Sequence, residues 1–420
     1  MGELRTIILA AGKGTRMKSS RPKVMHPICG VPLVGYVLDV AKAAGSLKTY
    51  VVVGYKAEEV EAYLGADYAA VRQEKLIGTA DAVKCALDKF KGLAGNVLIL
   101  CGDTPLLRKE LIRALVARHN KSRAVCTVLT AVVHNPQGYG RIIRLEDGRA
   151  VAIREDKDAD GPERSIAEIN VGVYCVNARA LAEALKNIKV NRKKGEFYLT
   201  DMVAFFHGRG NKIETLEMDN PQEGLGVNTR VDLAFAQKVI RKRILEEFML
   251  QGVTIEDPDS TFIYRDVKIG GDTVVRPFTV IENDVRIGRD CTIGPFARLR
   301  PGSRLADGVE VGNFAEVSRT KIGAKSLMKH FSFLGDAVVG SQVNIAAGTI
   351  TANYDGVNKN QTRIEDGAFI GCDAVLIAPV RIGKKAVVGA GSVVPRGKNV
   401  PQGAVAMGVP VKIQPGRKKV

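Results

Sequence analysis

The sequence predicts an α/β unit with a mostly parallel sheet, a linking helix and a parallel β-helix, over residues 1–227, 228–252 and 253–420. Three observations predict it. Residues 1–227 alternate strand-like apolar runs with amphipathic helical stretches, the pattern of a parallel sheet covered by helices. From about residue 253 the apolar period becomes six, the mark of coils that stack. The composition joins 44 Gly to only 5% aromatic residues and no Trp, which suits many tight turns and few large core side chains.

In the first part the strand-like runs are Thr6–Leu9, Tyr50–Val53, Val97–Leu100, Ala124–Val133 and Val171–Val176. The helical stretches between and after them are Val34–Ala44, Ala80–Phe90, Lys109–Arg118 and Ala178–Lys186. In such sheets ligands bind beyond the carboxyl ends of the strands. Residues 228–250 read as a helix that Asn228 or Thr229 caps, with an apolar stripe through Val231, Ala234, Phe235, Val239, Leu245 and Phe248.

Beyond it, every sixth residue from Ile263 is aliphatic: Ile269, Val275, Ile281, Ile287, Ile293, Leu299, Leu305, Val311 and Val317. Four residues after these stand small residues such as Thr273, Thr279, Cys291, Ala297, Ser303 and Ala315. A second register runs through Ile364, Ile370, Leu376, Ile382, Val388 and Val394. The register breaks at Arg319–Phe333 and at Asp355–Arg363, where insertions are expected to form loops on a binding face.

No apolar run reaches the roughly 20 residues that a membrane span needs. The first residues have too short an apolar core for a signal peptide. Met1-Gly2…Thr6 matches a myristoylation pattern only formally, since a buried strand starts there. The cytoplasm is the expected location. The net charge of +17, from 62 Lys and Arg against 45 Asp and Glu, is scattered apart from Arg241–Arg243 and the tail Arg417-Lys418-Lys419. Without a nucleic-acid-binding motif beside it, phosphate-binding pockets explain the sign at least as well. Seven Cys without CxxC spacing argue against a disulfide framework or a structural zinc site. Five dispersed His leave oxygen ligands, and so magnesium, as the expected metal chemistry.

Two motifs carry chemistry. Leu9-Ala10-Ala11-Gly12-Lys13-Gly14-Thr15-Arg16-Met17 follows the first strand. Its glycines let backbone N–H groups approach phosphates, and its cations neutralise them. Neither the Walker A spacing nor the third glycine of a dinucleotide fingerprint is present. Arg21-Pro22-Lys23 adds a second cationic arm. Leu100-Cys101-Gly102-Asp103-Thr104-Pro105 ends a later strand and places an acid where it can hold Mg²⁺ against phosphates. Together they suggest nucleotidyl transfer.

With these, LAAGKGTRM, RPKVMH, QEKLIGTADAV, LCGDTPLL, GYGRI, AEINVGVY, GEFYLTD and GVNTR resemble, in order, the bacterial N-acetylglucosamine-1-phosphate uridyltransferases. IGPFARLRPG, VGNFAEV, KHFSFLGD, NIAAGTITANYDG and IGCD resemble the acetyltransferase half of the same bifunctional family. The resemblance covers nearly the whole chain. It implies a Rossmann-like nucleotidyltransferase domain and a left-handed β-helix. It also implies a homotrimer with acetyl-CoA between adjacent β-helices, and sugar phosphates and UTP as substrates.

Carried over by position, Leu9, Ala10, Ala11, Gly12, Lys23, Gln73, Gly78, Thr79, Cys101, Gly102 and Asp103 are implied to line the uridine and phosphate site. Gly140, Glu155, Asn170 and Asn228 hold the sugar, Asp103 and Asn228 carry Mg²⁺, and Arg16 and Lys23 neutralise developing charge. In the second half His330 is the implied general base, oriented by Glu316. Arg300 binds the acceptor's phosphate, while Asn344, Asn353, Tyr354 and Lys359 surround the sugar. The Ala347 N–H stabilises the oxyanion, with Cys372, Ala390 and Gly408 near the coenzyme.

Three positions depart from the family's pattern. Ser318 stands in place of a phosphate-binding Lys, Phe333 in place of a Tyr, and the segment around Gly408 in place of an Arg that reaches the coenzyme. Two other readings follow from them: the β-helix is a trimerisation scaffold, or it acetylates a different amine.

Overall fold

In a computed structural model of the chain, which describes residues 3–191 and 195–414, two compact units appear, Met1–Gln237 and Lys238–Val420. The division falls inside one helix, whereas the sequence suggests a separate linker. The basic tail residues Arg417, Lys418 and Lys419 and the myristoylation pattern's Gly2 lie outside the described residues.

The first unit is built in the order β1 (Leu4–Ala10), α1 (Leu33–Ala43), β2 (Lys48–Val53), α2 (Ala57–Leu64), β3 (Ala69–Arg72), α3 (Thr79–Leu87), β4 (Asn96–Cys101) and α4 (Lys109–Ser122). It continues with β5 (Cys126–Val132), β6 (Arg141–Arg144), β7 (Ala150–Arg154), β8 (Glu168–Asn177), α5 (Ala178–Asn187), α6 (Asp201–Gly208) and β9 (Ile213–Glu217). The main sheet runs β9-β5-β8-β4-β1-β2-β3, with β6 and β7 attached through β8. All of its pairs are parallel except those of β8, which is antiparallel to β4 and β5. Its two faces bury separate cores, one around Ile8, Val34, Val51, Leu100 and Ile112, the other around Ile7, Val52, Val83, Ile99 and Leu181.

All five strand-like runs and four helical stretches of the sequence are elements here. Sequence reading does not isolate β3, β6, β7 and β9, because these short strands carry charged or half-buried side chains. In β3 only Val71 is buried.

Helix α7 (Arg230–Leu250) closes the first unit and enters the second. Its buried line runs Ala236, Ile240, Ile244 and Phe248, with Leu245 beside it, a strict four-residue step. Of the stripe expected from sequence, Leu245 and Phe248 are buried and Val239 is half-buried, whereas Val231 (78% exposed), Phe235 (39%) and Ala234 face solvent.

The second unit is the left-handed parallel β-helix, with two- and three-residue strands stacked into three sheets. The aliphatic column is buried along its length except at half-buried Ile269, and the second register is buried throughout. The small residues Thr273, Thr279, Cys291, Ala297, Ser303 and Ala315 are buried too, at corners too tight for larger side chains. Ladder partners stand eighteen residues apart in the regular coils. From Arg304 to Ile350 they stand seventeen apart.

The break at Arg319–Phe333 is therefore a shortening by one residue and no inserted loop, contrary to the sequence expectation. Arg319 and Asp336 turn the two short corners at positive φ (48° and 51°). At Asp355–Arg363 the coil does lengthen, and partners there stand twenty-five apart. Strand Lys412–Gln414 folds back antiparallel on Val405–Met407 at the end.

Candidate active sites

The Gly-rich segment after β1 and the Asp103 turn after β4 lie side by side because these strands are parallel neighbours, with Leu9 opposite Cys101. The Gly102 N–H donates to the Leu9 carbonyl at 2.9 Å. A cavity of about 500 Å³ opens at these strand ends. Leu9, Ala10, Ala11, Gly12, Lys23, Gln73, Gly78, Thr79, Cys101, Asp103 and Glu155 all line it, as does Tyr198, which the sequence reading did not single out.

Four polar side chains converge at its mouth. The Lys23 ammonium contacts Asp103 Oδ2 and donates to Asn228 Oδ1 at 3.1 Å. Arg16 Nη2 donates to the same Asn228 oxygen at 2.9 Å. The Asp103 carbonyl accepts from the Val227 N–H at 2.8 Å, which draws the 226–228 segment onto the Asp103 turn. Of the two candidate caps of α7, Thr229 takes the role. Its Oγ1 accepts from the Asp232 N–H, and Asp232 Oδ2 accepts from the N–H groups of Asn228 and Thr229. The Asn228 side chain is thus left facing Lys23.

Burial pushes the Cys101 thiol up to about 12, so it stays neutral and is no nucleophile near neutral pH. Burial also raises Glu155, whose Oε1 accepts from Thr200 Oγ1 at 2.8 Å. The Tyr139 phenol is raised by burial and by the carboxylates of Asp232 and Asp103.

Gln73 Nε2 donates to the Gly78 carbonyl (3.1 Å) and to Asp81 Oδ2 (2.8 Å). Gly78 stands at φ 117°, and a Cβ there would run into the Phe197 backbone. Gly78→Ala should therefore cost about 1–3 kcal/mol of strain, read as a lower midpoint in urea unfolding. An unchanged midpoint would refute that account.

Asn170 sits where a bulge shifts the register of β8 against β5, a device that re-aims side chains next to sites. Its N–H donates to the Gly140 carbonyl at 2.8 Å. Gly140 packs closely on Ile153 and Arg154, the end of the strand that leads to Glu155. Arg141 is only 2% exposed. It contacts the Tyr139 carbonyl and donates to Asp156 Oδ1 at 2.9 Å, tying the two loops together. Gly140 and Asn170 hold each other but do not line the cavity described above.

In the β-helix, Glu316, Phe333, Ile350 and Val375 stack on one ladder and Leu327, Asn344 and Phe369 on another. Glu316 accepts from Arg300 Nη1 at 2.9 Å. His330 is exposed and makes no hydrogen bond among the described residues, so the expected Glu316–His330 contact is not formed. Arg300 takes Glu316 because it stands two residues past Arg298, the ladder partner of Glu316.

The Ala347 carbonyl accepts from the Asp373 N–H. Ala347's own N–H donates to no protein group among the described residues. Tyr354 pairs with Lys359 across the inserted loop, and the Cys372 carbonyl accepts from the Gly391 N–H, next to Ala390. Gly408 turns at φ 100°, its N–H on Ser392 Oγ. Met407 and Val409 beside it are exposed.

Residues 6–197 match the MobA-like NTP transferase domain. Segments 266–301, 284–319 and 361–396 match the bacterial transferase hexapeptide. Bifunctional protein GlmU of Geobacillus thermodenitrificans is 44% identical over 96% of this chain and 94% of its own length. The protein of that name from Geobacter sulfurreducens is 42% identical over 97% and 96%. The one from Fervidobacterium nodosum is 44% identical over 96% and 94%.

The chain belongs to the bifunctional GlmU family.

Within this GlmU framework, sequence reading passed over Tyr198, which lines the cavity, and Arg141, which ties the loops beside it. Each lies inside a motif that also carries the resemblance, GYGRI or GEFYLTD. The motif was visible, but which of its side chains turn into the site depends on the bulge and the loop packing. At the departures, Ser318 is fully buried, and the Phe333 ring and Asn353 amide converge above Gly335.

Proposed function

We propose that the protein makes UDP-N-acetylglucosamine through two activities. The first unit transfers uridyl from UTP to N-acetylglucosamine-1-phosphate. The second transfers acetyl from acetyl-CoA to glucosamine-1-phosphate. The observation that carries the first activity is the meeting of Lys23, Asp103, Asn228 and Arg16 at the mouth of a cavity walled by the Gly-rich segment.

The uridyl step joins a sugar phosphate oxygen to the α-phosphorus of UTP and releases pyrophosphate. Alignment and charge neutralisation are what such a reaction needs. Backbone N–H groups of Leu9–Gly12 approach the phosphates, Lys23 and Arg16 balance the charge that develops, and Gly140, Glu155 and Asn170 position the sugar. The oxygens of Asp103 and Asn228 already converge on a cation, the Lys23 ammonium, so the donor set suits Mg²⁺. Two protein oxygens completed by phosphates and water are the usual way this ion is held. When bound, it would neutralise phosphate oxygens.

In the second unit His330 takes the proton from the sugar amine as it attacks the thioester carbonyl. The Ala347 N–H receives the oxyanion, and the thiolate of coenzyme A leaves. Arg300 and Lys359 lie on the acceptor side, with Asn344, Asn353 and Tyr354 around the sugar and Cys372, Ala390 and Gly408 on the coenzyme side.

Incubation with UTP, acetyl-CoA, Mg²⁺ and glucosamine-1-phosphate, followed by mass spectrometry, tests both halves at once. UDP-N-acetylglucosamine is the expected product. Product formed only from N-acetylglucosamine-1-phosphate would leave the acetyl half without its reaction.

We further read the chain as a homotrimer in the cytoplasm. Seven free cysteines suit a reducing compartment, and no described helix is long and apolar enough to cross a membrane. The support for assembly is a ladder of phenylalanines on one corner of the β-helix. Phe278, Phe296 and Phe314 stack at 4.8 and 5.0 Å between ring centroids, yet they are 54, 45 and 62% exposed. A row of bare aromatic rings of this kind marks an interface. Phe296→Asp should shift the protein from trimer to monomer in sedimentation velocity, since a charge in a packed apolar contact has no partner. A trimer that survived with unchanged affinity would place the interface elsewhere.

A further inference from the structure

Ser318 is fully buried and sits on the ladder directly opposite Gly335, so its short side chain cannot carry charge to the surface. The next residue can. Arg319 turns a corner of the coil at φ 48°, and Asp336 turns the equivalent corner of the next coil at φ 51°. Arg319 Nε and Nη2 donate to the two oxygens of Asp336 at 2.6 and 2.8 Å, and Nη1 donates to Ser318 Oγ at 2.8 Å.

The guanidinium tip therefore lies over residue 318, where a longer side chain at that position would emerge. Three of its five N–H groups are engaged, and the remaining two are fixed in direction by the carboxylate fork. The side chain is 38% exposed, so these donors are open to a ligand.

The same Asp336 carboxylate accepts from the Asn353 amide. Asn353 and the Phe333 ring converge above Gly335, which makes one continuous wall of Arg319, Asp336, Asn353 and Phe333. The charge of Lys359 also acts on Asp336. With two cations against one carboxylate, the group is net positive. Arg300, by contrast, gives one hydrogen bond to Glu316 and has no rigid fork to aim its free edge.

We propose that Arg319 grips the phosphate of the acetyl acceptor and thereby selects a sugar phosphate over the free amino sugar; this rests on the acetyltransferase reading above. Asp336 is the positioning residue that aims the guanidinium, and Ser318 leaves room for it.

The test is steady-state acetylation of glucosamine-1-phosphate and of glucosamine by wild type, Arg319→Ala, Arg319→Lys and the double variant Ser318→Lys/Arg319→Ala. Arg319→Ala should raise the acceptor KM for glucosamine-1-phosphate about ten- to a hundredfold. It should leave the acetyl-CoA KM and the rate on glucosamine unchanged. Arg319→Lys should recover only part of the loss, because it keeps the charge without the fork. The double variant should recover most of it, since an ammonium would then stand in the vacated space. Unchanged KM in Arg319→Ala, or an equal loss on both acceptors, would overturn the assignment. A wild-type enzyme that does not acetylate glucosamine-1-phosphate would overturn the acetyltransferase reading itself, and the assignment with it.

Discussion

Asp103→Ala is expected to stop uridyl transfer while acetyl transfer continues. Among the described residues, Asp103 is the one carboxylate in contact with Lys23 at the cavity mouth. Its removal takes away an oxygen for Mg²⁺ and leaves the ammonium without its counter-ion. Loss of one preorganised electrostatic group commonly costs about 10²–10³-fold in rate, and here the metal's contribution falls with it. Pyrophosphate release from UTP and N-acetylglucosamine-1-phosphate should therefore drop to background. Thiol release from acetyl-CoA with glucosamine-1-phosphate should keep its wild-type kcat, because His330 belongs to a separate compact unit. If both activities fell in a folded protein, the division of labour proposed above would be wrong.

His330→Ala is the reciprocal experiment. It should lower kcat for acetyl transfer by about 10²–10⁴-fold, the usual worth of general-base assistance. KM for the acceptor should change little, since the imidazole acts on the proton that leaves as the bond forms. Uridyl transfer should be unaffected. The side chain is exposed, two residues beyond the short strand Leu327–Met328, so its truncation removes no core contact, and a loss of activity would not reflect unfolding. A kcat within threefold of wild type would exclude His330 as the base. The contrast with Arg319→Ala, which should act through KM, separates proton transfer from phosphate recognition in the same pocket.

Much of this was legible in the chain itself. A period of six places one aliphatic on each side of a three-sided coil, so the inward column from Ile263 to Val317 could be read without knowing how the chain turns. The alternation in residues 1–227 likewise marked out β1, β2, β4, β5 and β8. Both Leu9–Arg16 and Cys101–Asp103 could be placed at strand ends, because a Gly-rich or Asp-containing turn directly follows an apolar run. These are local signals. Each depends on spacing within a few residues, and hydrophobic burial enforces that spacing wherever the segment ends up.

Other features could not be read this way. In sequence, the break at Arg319–Phe333 looked like an insertion, since a lost register does not say whether residues were added or removed. Only the seventeen-residue ladder showed a deletion. The expected α7 stripe holds at Leu245 and Phe248 but fails at Val231 and Phe235, which are exposed, because apolar spacing on a helix does not say which side meets a neighbour.

The sequence by itself determined the two architectures and the positions of the phosphate-binding turns, through short-range periodicity and turn chemistry. Tertiary structure alone decided which charges meet. Lys23 reaches Asp103 across 80 residues and Asn228 across 205, and Arg319 finds Asp336 only because a coil of seventeen residues brings two corners into line. Ion pairs and hydrogen bonds act over a few ångströms with strict direction, so their partners are set by strand register and coil length, which no local pattern encodes.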